Sequence, residues 1–297
     1  MTPTELALVL ASAALHAFWS AWIKGSRDPV LFNFLQAAPG ALLAIALLAA
    51  SPQLRTADAT FWAWVGAASV CHAAYLYWMA RALAVADLSL VYPIARSTPA
   101  FLPFAAGPLL GERLSAAGAV GIAVVVAGMW CVQTRGRVDP RAWIAPGAGL
   151  ALLTLAATVG YGVTDKAAMA RLDGVAWTSP VPRSVAYFAL TSLGGALGLV
   201  PAVARAPRAA ALRAALSPSS PELRNALRAF AFSLVGYSLV LEALRSAPAS
   251  YVVAVRQSSV LFAVALGVAW LRERPGSARI AGAVIICAGV ALVAIAG

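Results

Sequence analysis

Three arginines stand where lipid would ordinarily exclude them. Arg96, Arg183 and Arg256 each fall near the middle of a long apolar stretch. A charged side chain at the centre of a bilayer costs about 3 kcal/mol or more, so such groups normally face a cavity or a partner. A guanidinium can fork two hydrogen bonds to a carboxylate or phosphate, and a cavity lined by several of them favours an anion. Internal neutralisation is the competing account, for example of Arg256 by Glu242. Acids and histidines are fewer at depth. His16 lies within the first apolar stretch and His72 within the third, without an evident partner. Asp165 closes the sixth, and Glu242 lies about one turn inside the end of the eighth. His16, Asp165 and Glu242 are the candidate proton carriers, histidine being the natural one near neutral pH.

Helical spacing groups other side chains with these. Ser89, Tyr92, Arg96 and Pro103 share a helix face, as do Thr154, Thr158, Tyr161 and Asp165. Pro180, Arg183, Tyr187 and Thr191 form a third stripe, and Ser12, His16, Trp19 and Ile23 a fourth. Pro93 and Pro99 leave backbone carbonyls without helical partners, which kinks a helix towards a cavity or simply serves packing. The candidate substrate-binding set is therefore Arg96, Arg256 and Arg183 for an anionic group, with Gln257 beside them. Tyr92, Trp19 and Tyr161 would enclose the rest, packing being the competing role for each aromatic.

The elements that must hold these residues are membrane spans. The chain has 297 residues, 62% hydrophobic and 11% charged, with a mean hydropathy of +0.83. A soluble domain carries roughly 25% charged residues. Charge-free runs such as Pro29 to Leu54 and Leu114 to Thr134 reach the length of about 20 residues that a bilayer demands. The first such run lacks a basic leader and reads as a retained span rather than a signal peptide. The expected fold is an all-α integral membrane protein of about ten spans. These run approximately 4–23, 29–50, 60–80, 88–109, 114–133, 143–164, 175–201, 226–246, 248–270 and 278–296. The long connection 202–225, with its arginines amid alanines, reads equally as an interfacial helix or a solvated loop. The net charge of +11 comes from arginines at membrane edges, not from a nucleic-acid-binding domain. Cys71, Cys131 and Cys287 lie in apolar runs as small hydrophobes. No phosphate-binding loop, His-Glu-x-x-His or metal-spaced cysteine pair occurs, so neither an enzyme, a cofactor nor a metal is expected.

The two halves resemble each other. A shift of 161 residues places Ala82-Leu83 on Ala243-Leu244, Ser89 on Ser250 and Glu112-Arg113 on Glu273-Arg274. The same shift places Gly121 on Gly282 and Ala127-Gly128 on Ala288-Gly289. The glutamate–arginine pairs themselves read as solvated loop charges or helix-start charges rather than gates. An odd number of spans in each half, 1–134 and 135–297, would make the second an inverted copy of the first. That plan recurs in secondary transporters, with the substrate site between the repeats. Loops after odd-numbered spans hold most of the basic residues, Lys24, Arg81, Arg135, Arg205 and Arg272 among them. The positive-inside rule then sets both termini outside the cytoplasm.

These features carry a resemblance to a family. A Trp-rich first span ends in Lys24, a third closes in Ala-Leu, and a fourth bears Pro93, Pro99 and Pro103. Gly111-Glu112-Arg113-Leu114-Ser115 then precedes a Gly-spaced fifth span. The pattern resembles the drug/metabolite transporter superfamily, EamA type, over nearly the whole chain. The resemblance implies ten helices, a central cavity and movement, commonly export, of small metabolites across a bacterial inner membrane. Small multidrug exporters of that superfamily are expected to hold a carboxylate deep in the first span. This chain has only Glu5, near the edge. The expectation is therefore an alternating-access carrier of a small anionic or zwitterionic metabolite: an amino acid, organic acid or phosphorylated compound. A lipid-linked carrier or flippase of the same fold and a non-transporting scaffold remain alternatives. The expected partners are the substrate and the bilayer, and both a monomer and a homodimer fit the sequence.

Overall fold

Short polar residues in the connections start the helices. Asp28 accepts hydrogen bonds from the N–H groups of Val30 and Leu31 at 3.0 and 3.2 Å, opening α2 (Pro29–Ala50) behind its proline. Asp58 opens α4 (Ala59–Val85) through Phe61 N at 2.6 Å, and Ser220 opens α11 (Pro221–Leu244) through Leu223 N at 3.4 Å. Each cap satisfies an N–H group that the helix itself leaves without a partner. The computed structural model describes the backbone of residues 1–24, 26–86, 88–134, 146–269, 272 and 276–296, and their side chains except at 18–24, 88, 89, 267 and 269. Ser89, Arg135, Glu273 and Arg274 lie wholly or in their side chains outside that description.

The remaining helices are α1 (Pro3–Lys24), α3 (Pro52–Arg55), α5 (Leu88–Ala95), α6 (Thr98–Leu110), α7 (Ala116–Thr134), α8 (Ala148–Asp173), α9 (Arg183–Val203), α10 (Arg208–Ala215), α12 (Ala249–Arg256), α13 (Ser259–Ala269) and α14 (Ser277–Ala296). No strand occurs among the described residues. Among the described residues, seven segments are long and apolar enough to cross a membrane: α2, α7, α8, α9, α11, α14 and the stretch Ala249–Leu266 that spans α12 and α13. The chain is an all-helical, multi-pass membrane protein. α10 lies in the long connection, where Arg208 Nε meets Asp28 Oδ2 at 2.6 Å.

Two helices are interrupted at mid-course. Between α5 and α6 stand Arg96 and Ser97, where Pro99 leaves the Ala95 carbonyl without a helical donor. Ser97 Oγ donates to Pro93 O at 2.6 Å and accepts from the Trp130 indole at 2.9 Å, which fixes the interruption. Between α12 and α13 stand Gln257 and Ser258, where tight-turn bonds Gln257 N→Ala254 O and Ser258 N→Val255 O replace the helical ladder at 3.1 and 3.0 Å. Eight residues precede each interruption, and the two leading segments are offset by the 161 residues of the sequence repeat.

Helix boundaries depart from the sequence expectation in two places that matter. The sixth span continues past Asp165 to Asp173, so Asp165 is interior to α8 and fully buried. The seventh begins at Arg183 rather than 175, because Pro180 and Pro182 disfavour helix in the residues before them.

α7 and α14 cross with their backbones nearly touching. A Cβ on Gly128 would stand 2.7 Å from Ile286 N and 2.8 Å from Gly282 O. One on Gly282 would stand 2.7 Å from Gly128 O, and one on Gly289 2.9 Å from Gly121 O. Only glycine permits that approach, a recurrent device where helices pack within lipid.

On the face where both termini lie, polar contacts join segments far apart in sequence. Gly111 adopts the left-handed conformation (φ 69°) that ends α6 and aims Glu112 at the start of α12. There the Glu112 carboxylate accepts from Ala249 N, from Ser250 N at 3.2 Å and from Ser250 Oγ at 2.7 Å. Glu112 is thus a helix-start charge, but for a helix of the other half. Ser115 N donates to Tyr251 OH at 3.2 Å, and Ser115 Oγ to Ala296 O at 3.1 Å. Lys166 Nζ donates to Leu244 O and Ala247 O at 2.6 and 3.0 Å, and Ser246 Oγ to Glu5 at 2.5 Å.

Candidate functional site

The two interruptions meet at a cavity of about 190 Å³. Arg96 and Thr98 come to it from the first break, and Arg256, Gln257 and Ser259 from the second. His16 of α1, Asn33 and Gln36 of α2, His72 and Tyr75 of α4, Tyr92 of α5, Tyr161 of α8 and Tyr237 of α11 are among the other polar and aromatic residues of its wall. Its lining includes Met79 and Leu83 near the end of α4, and none of the terminal-face residues joined above. The cavity therefore extends from mid-depth away from the face carrying the termini.

The electrostatics of the wall are uneven. Arg96 Nη2 lies 3.2 Å from His16 Nε2, and its guanidinium sits 4.9 Å from the Tyr92 ring centroid. Arg256 sits 5.0 Å from the Tyr237 ring centroid, and its buried Nε has no hydrogen-bond partner. Among the described residues neither arginine forms an ion pair. Tyrosine faces attract guanidinium groups but do not neutralise them. The N-termini of α6 and α13 begin at the same breaks and add partial positive charge. Thr98 Oγ1 and Ser258 Oγ, both buried, are unpartnered there.

Behind the wall lies the one acid of the region among the described residues, Asp165, at 0% exposure. Its oxygens accept from Tyr187 OH at 2.8 Å and from Tyr237 OH, and His72 Nε2 lies 3.2 and 3.1 Å from Oδ1 and Oδ2. A carboxylate without water needs such a set of partners. The His72 ring stacks on Tyr161 with centroids 4.5 Å apart, which carries the cluster to the cavity surface.

Of the residues singled out from sequence, Arg96, Arg256, Tyr92, Tyr161, Gln257 and His16 line this cavity, with Asp165 behind them. The side chain of Trp19 lies outside the described residues. Arg183 and Glu242 are elsewhere. Arg183 opens α9 and donates to Leu172 O and Val175 O at 3.2 and 2.9 Å, capping the far end of α8. Glu242 pairs with Arg245, which also holds Asp173 at 2.7 Å, so it does not neutralise Arg256. Both positions follow from helix ends that the hydropathy pattern placed wrongly or left open. His72 has the partner that the sequence did not reveal. Asn33 and Gln36 were not singled out at all, although they are the polar side chains of an otherwise apolar α2 and stand three apart.

The EamA-like transporter family model matches residues 145–295, just over half of the chain. A solved crystal structure aligns over 99% of this chain and 98% of its own, with a TM-score of 0.73 and 18% identity. At that identity the likeness concerns the fold. A comparison with curated proteins gives no match.

Proposed function

Because the chain belongs to the EamA-like transporter family, we propose that it is a secondary carrier exporting a small anionic or zwitterionic metabolite by alternating access. The observation that carries this reading is the pair of arginines, without ion-pair partners among the described residues, at two helix breaks around one cavity. Arg96 and Arg256 hold the anionic group, Tyr92 and Tyr161 enclose the remainder, and Gln257 adds a polar contact. In interrupted-helix transporters the half-helix N-termini serve anionic groups in the same way.

The crossings number ten when α1, α4 and the interrupted α5–α6 join the seven long apolar segments. The glycine pairs of the α7–α14 crossing exchange places under the 161-residue shift, as a two-fold axis between inverted repeats requires. Termini outside the cytoplasm of a bacterial inner membrane agree with the basic loops. With that orientation the cavity faces the cytoplasm and the polar contacts around Glu112 form the closed outer side. Where transport is proton-coupled, the proton resides on the Asp165–His72 pair.

The test is uptake by proteoliposomes offered amino acids, organic acids and phosphorylated compounds. Arg96→Ala and Arg256→Ala each lower transport of the accepted substrate about 10- to 100-fold, as loss of a charge-assisted contact would. Movement of none of these compounds, or wild-type transport by both variants, overturns the reading.

A further inference from the structure

The cavity contains a second kind of unmet demand, away from the arginines. α2 offers it Asn33 and Gln36, one helical step apart on a shared face. Asn33 Nδ2 donates to Leu76 O at 2.9 Å, which fixes the amide so that its oxygen is the free atom. Asn33 Oδ1 and Gln36 Oε1 are both buried without a hydrogen-bond partner. The neighbouring hydroxyls of Thr191 and Ser192 are already engaged, both donating to Phe188 O. A buried carbonyl oxygen left without a donor costs about 1–3 kcal/mol, and a site that keeps two of them rejects ligands that cannot supply one. A carboxylate has only acceptors to offer at neutral pH.

We infer that Asn33 and Gln36 form a donor-recognising subsite, selecting substrates whose acid group is accompanied by a hydroxyl or ammonium group over plain carboxylates and diacids. This inference rests on the carrier reading above and narrows its substrate class to hydroxy acids and amino acids. Neutral amide acceptors serve both donors, and the experiment separates them.

The experiment measures binding to the purified full-length protein by tryptophan fluorescence or thermal shift. The probes are matched trios of unsubstituted acid, 2-hydroxy acid and 2-amino acid on skeletons from three carbons to an indole side chain. On the preferred skeleton the wild type binds a donor-bearing member about tenfold tighter than the unsubstituted acid. Gln36→Leu removes most of that difference while the unsubstituted acid binds as before. Asn33→Leu does the same, but it also cuts the tie to α4, so Gln36→Leu carries the test if the other variant does not fold. Preference for the hydroxy acid alone or the amino acid alone assigns the donor. Equal binding of all three members, or unchanged discrimination in Gln36→Leu, overturns the subsite and leaves the carrier reading standing. No binding in any trio overturns the subsite, and the proteoliposome panel with its phosphorylated compounds then decides the carrier reading by itself.

Discussion

Asp165 shows how a fully buried carboxylate is held by the side chains around it. Tyr187, Tyr237 and His72 surround it, and they stand 22, 72 and 93 residues away in sequence. The acid itself was legible, because a carboxylate beside an apolar run calls for explanation. Its partners were not, because three different helices bring them together and no spacing along one helix records that. Tyr187 is fully buried and does not line the cavity. Tyr187→Phe should therefore lower the unfolding midpoint, by an amount equivalent to about 1–3 kcal/mol, without changing substrate affinity. Thermal unfolding of the variant beside a binding titration reads both quantities. Asp165→Asn is expected to flatten the pH dependence of transport if the pair carries a proton, and flux measured across a pH series in proteoliposomes checks it. Arginine depth was legible for Arg96 and Arg256. For Arg183 it was not, because a proline-rich lead-in moved the helix start and turned a mid-span charge into a cap.

At the scale of elements, the two interrupted helices show what sequence can and cannot announce. The first break is written in Pro93 and Pro99. The second has no proline between Ala249 and Ala269, and only its turn bonds at Gln257 and Ser258 reveal it. Repeat symmetry, rather than local propensity, was the usable signal, since the shift that aligns the glycines also aligns the breaks. The glycines of α7 and α14 were legible as a spacing, but not as partners of one another. Their contact makes a sharp prediction. Gly128→Leu or Gly282→Leu drives a side chain into the opposing backbone and should destabilise the protein by about 1–3 kcal/mol or more. Loss of the monodisperse peak on size exclusion in detergent, or a lowered unfolding midpoint, would register it. A surface glycine such as Gly149, with open space around its Cβ position, should accept leucine with little change.

At the scale of the molecule, polar contacts between segments far apart in sequence tie the side of the cavity nearer the termini. Glu112 alone receives three donors from the start of α12. Glu112→Ala removes those bonds and should raise the share of molecules open towards the terminal face. A cysteine at Val253, in a background without the native cysteines, should then react faster with an impermeant thiol reagent applied from that face. The membrane class was legible from composition, because water cannot dissolve such a chain, and the helical architecture from its charge-free runs of about 20 residues. The ties of the terminal face were not, since they depend on carboxylates and carbonyls meeting across loops. Whatever motion carries a solute across, the crossing of α7 and α14 can take little part in it. Main chain lies against main chain there, with Val125, Val132, Ile286 and Val293 packed beside it, so under the proposed carrier reading the pair is the axle about which the rest turns. Welding an axle to itself does no harm. Cys131 Sγ lies 3.3 Å from Ala278 O, so a short bis-methanethiosulfonate reagent can join it reversibly to a cysteine placed at 278. The cross-linked protein should transport at nearly the rate of the reduced one, whereas a bond placed across the Glu112 contacts should stop it.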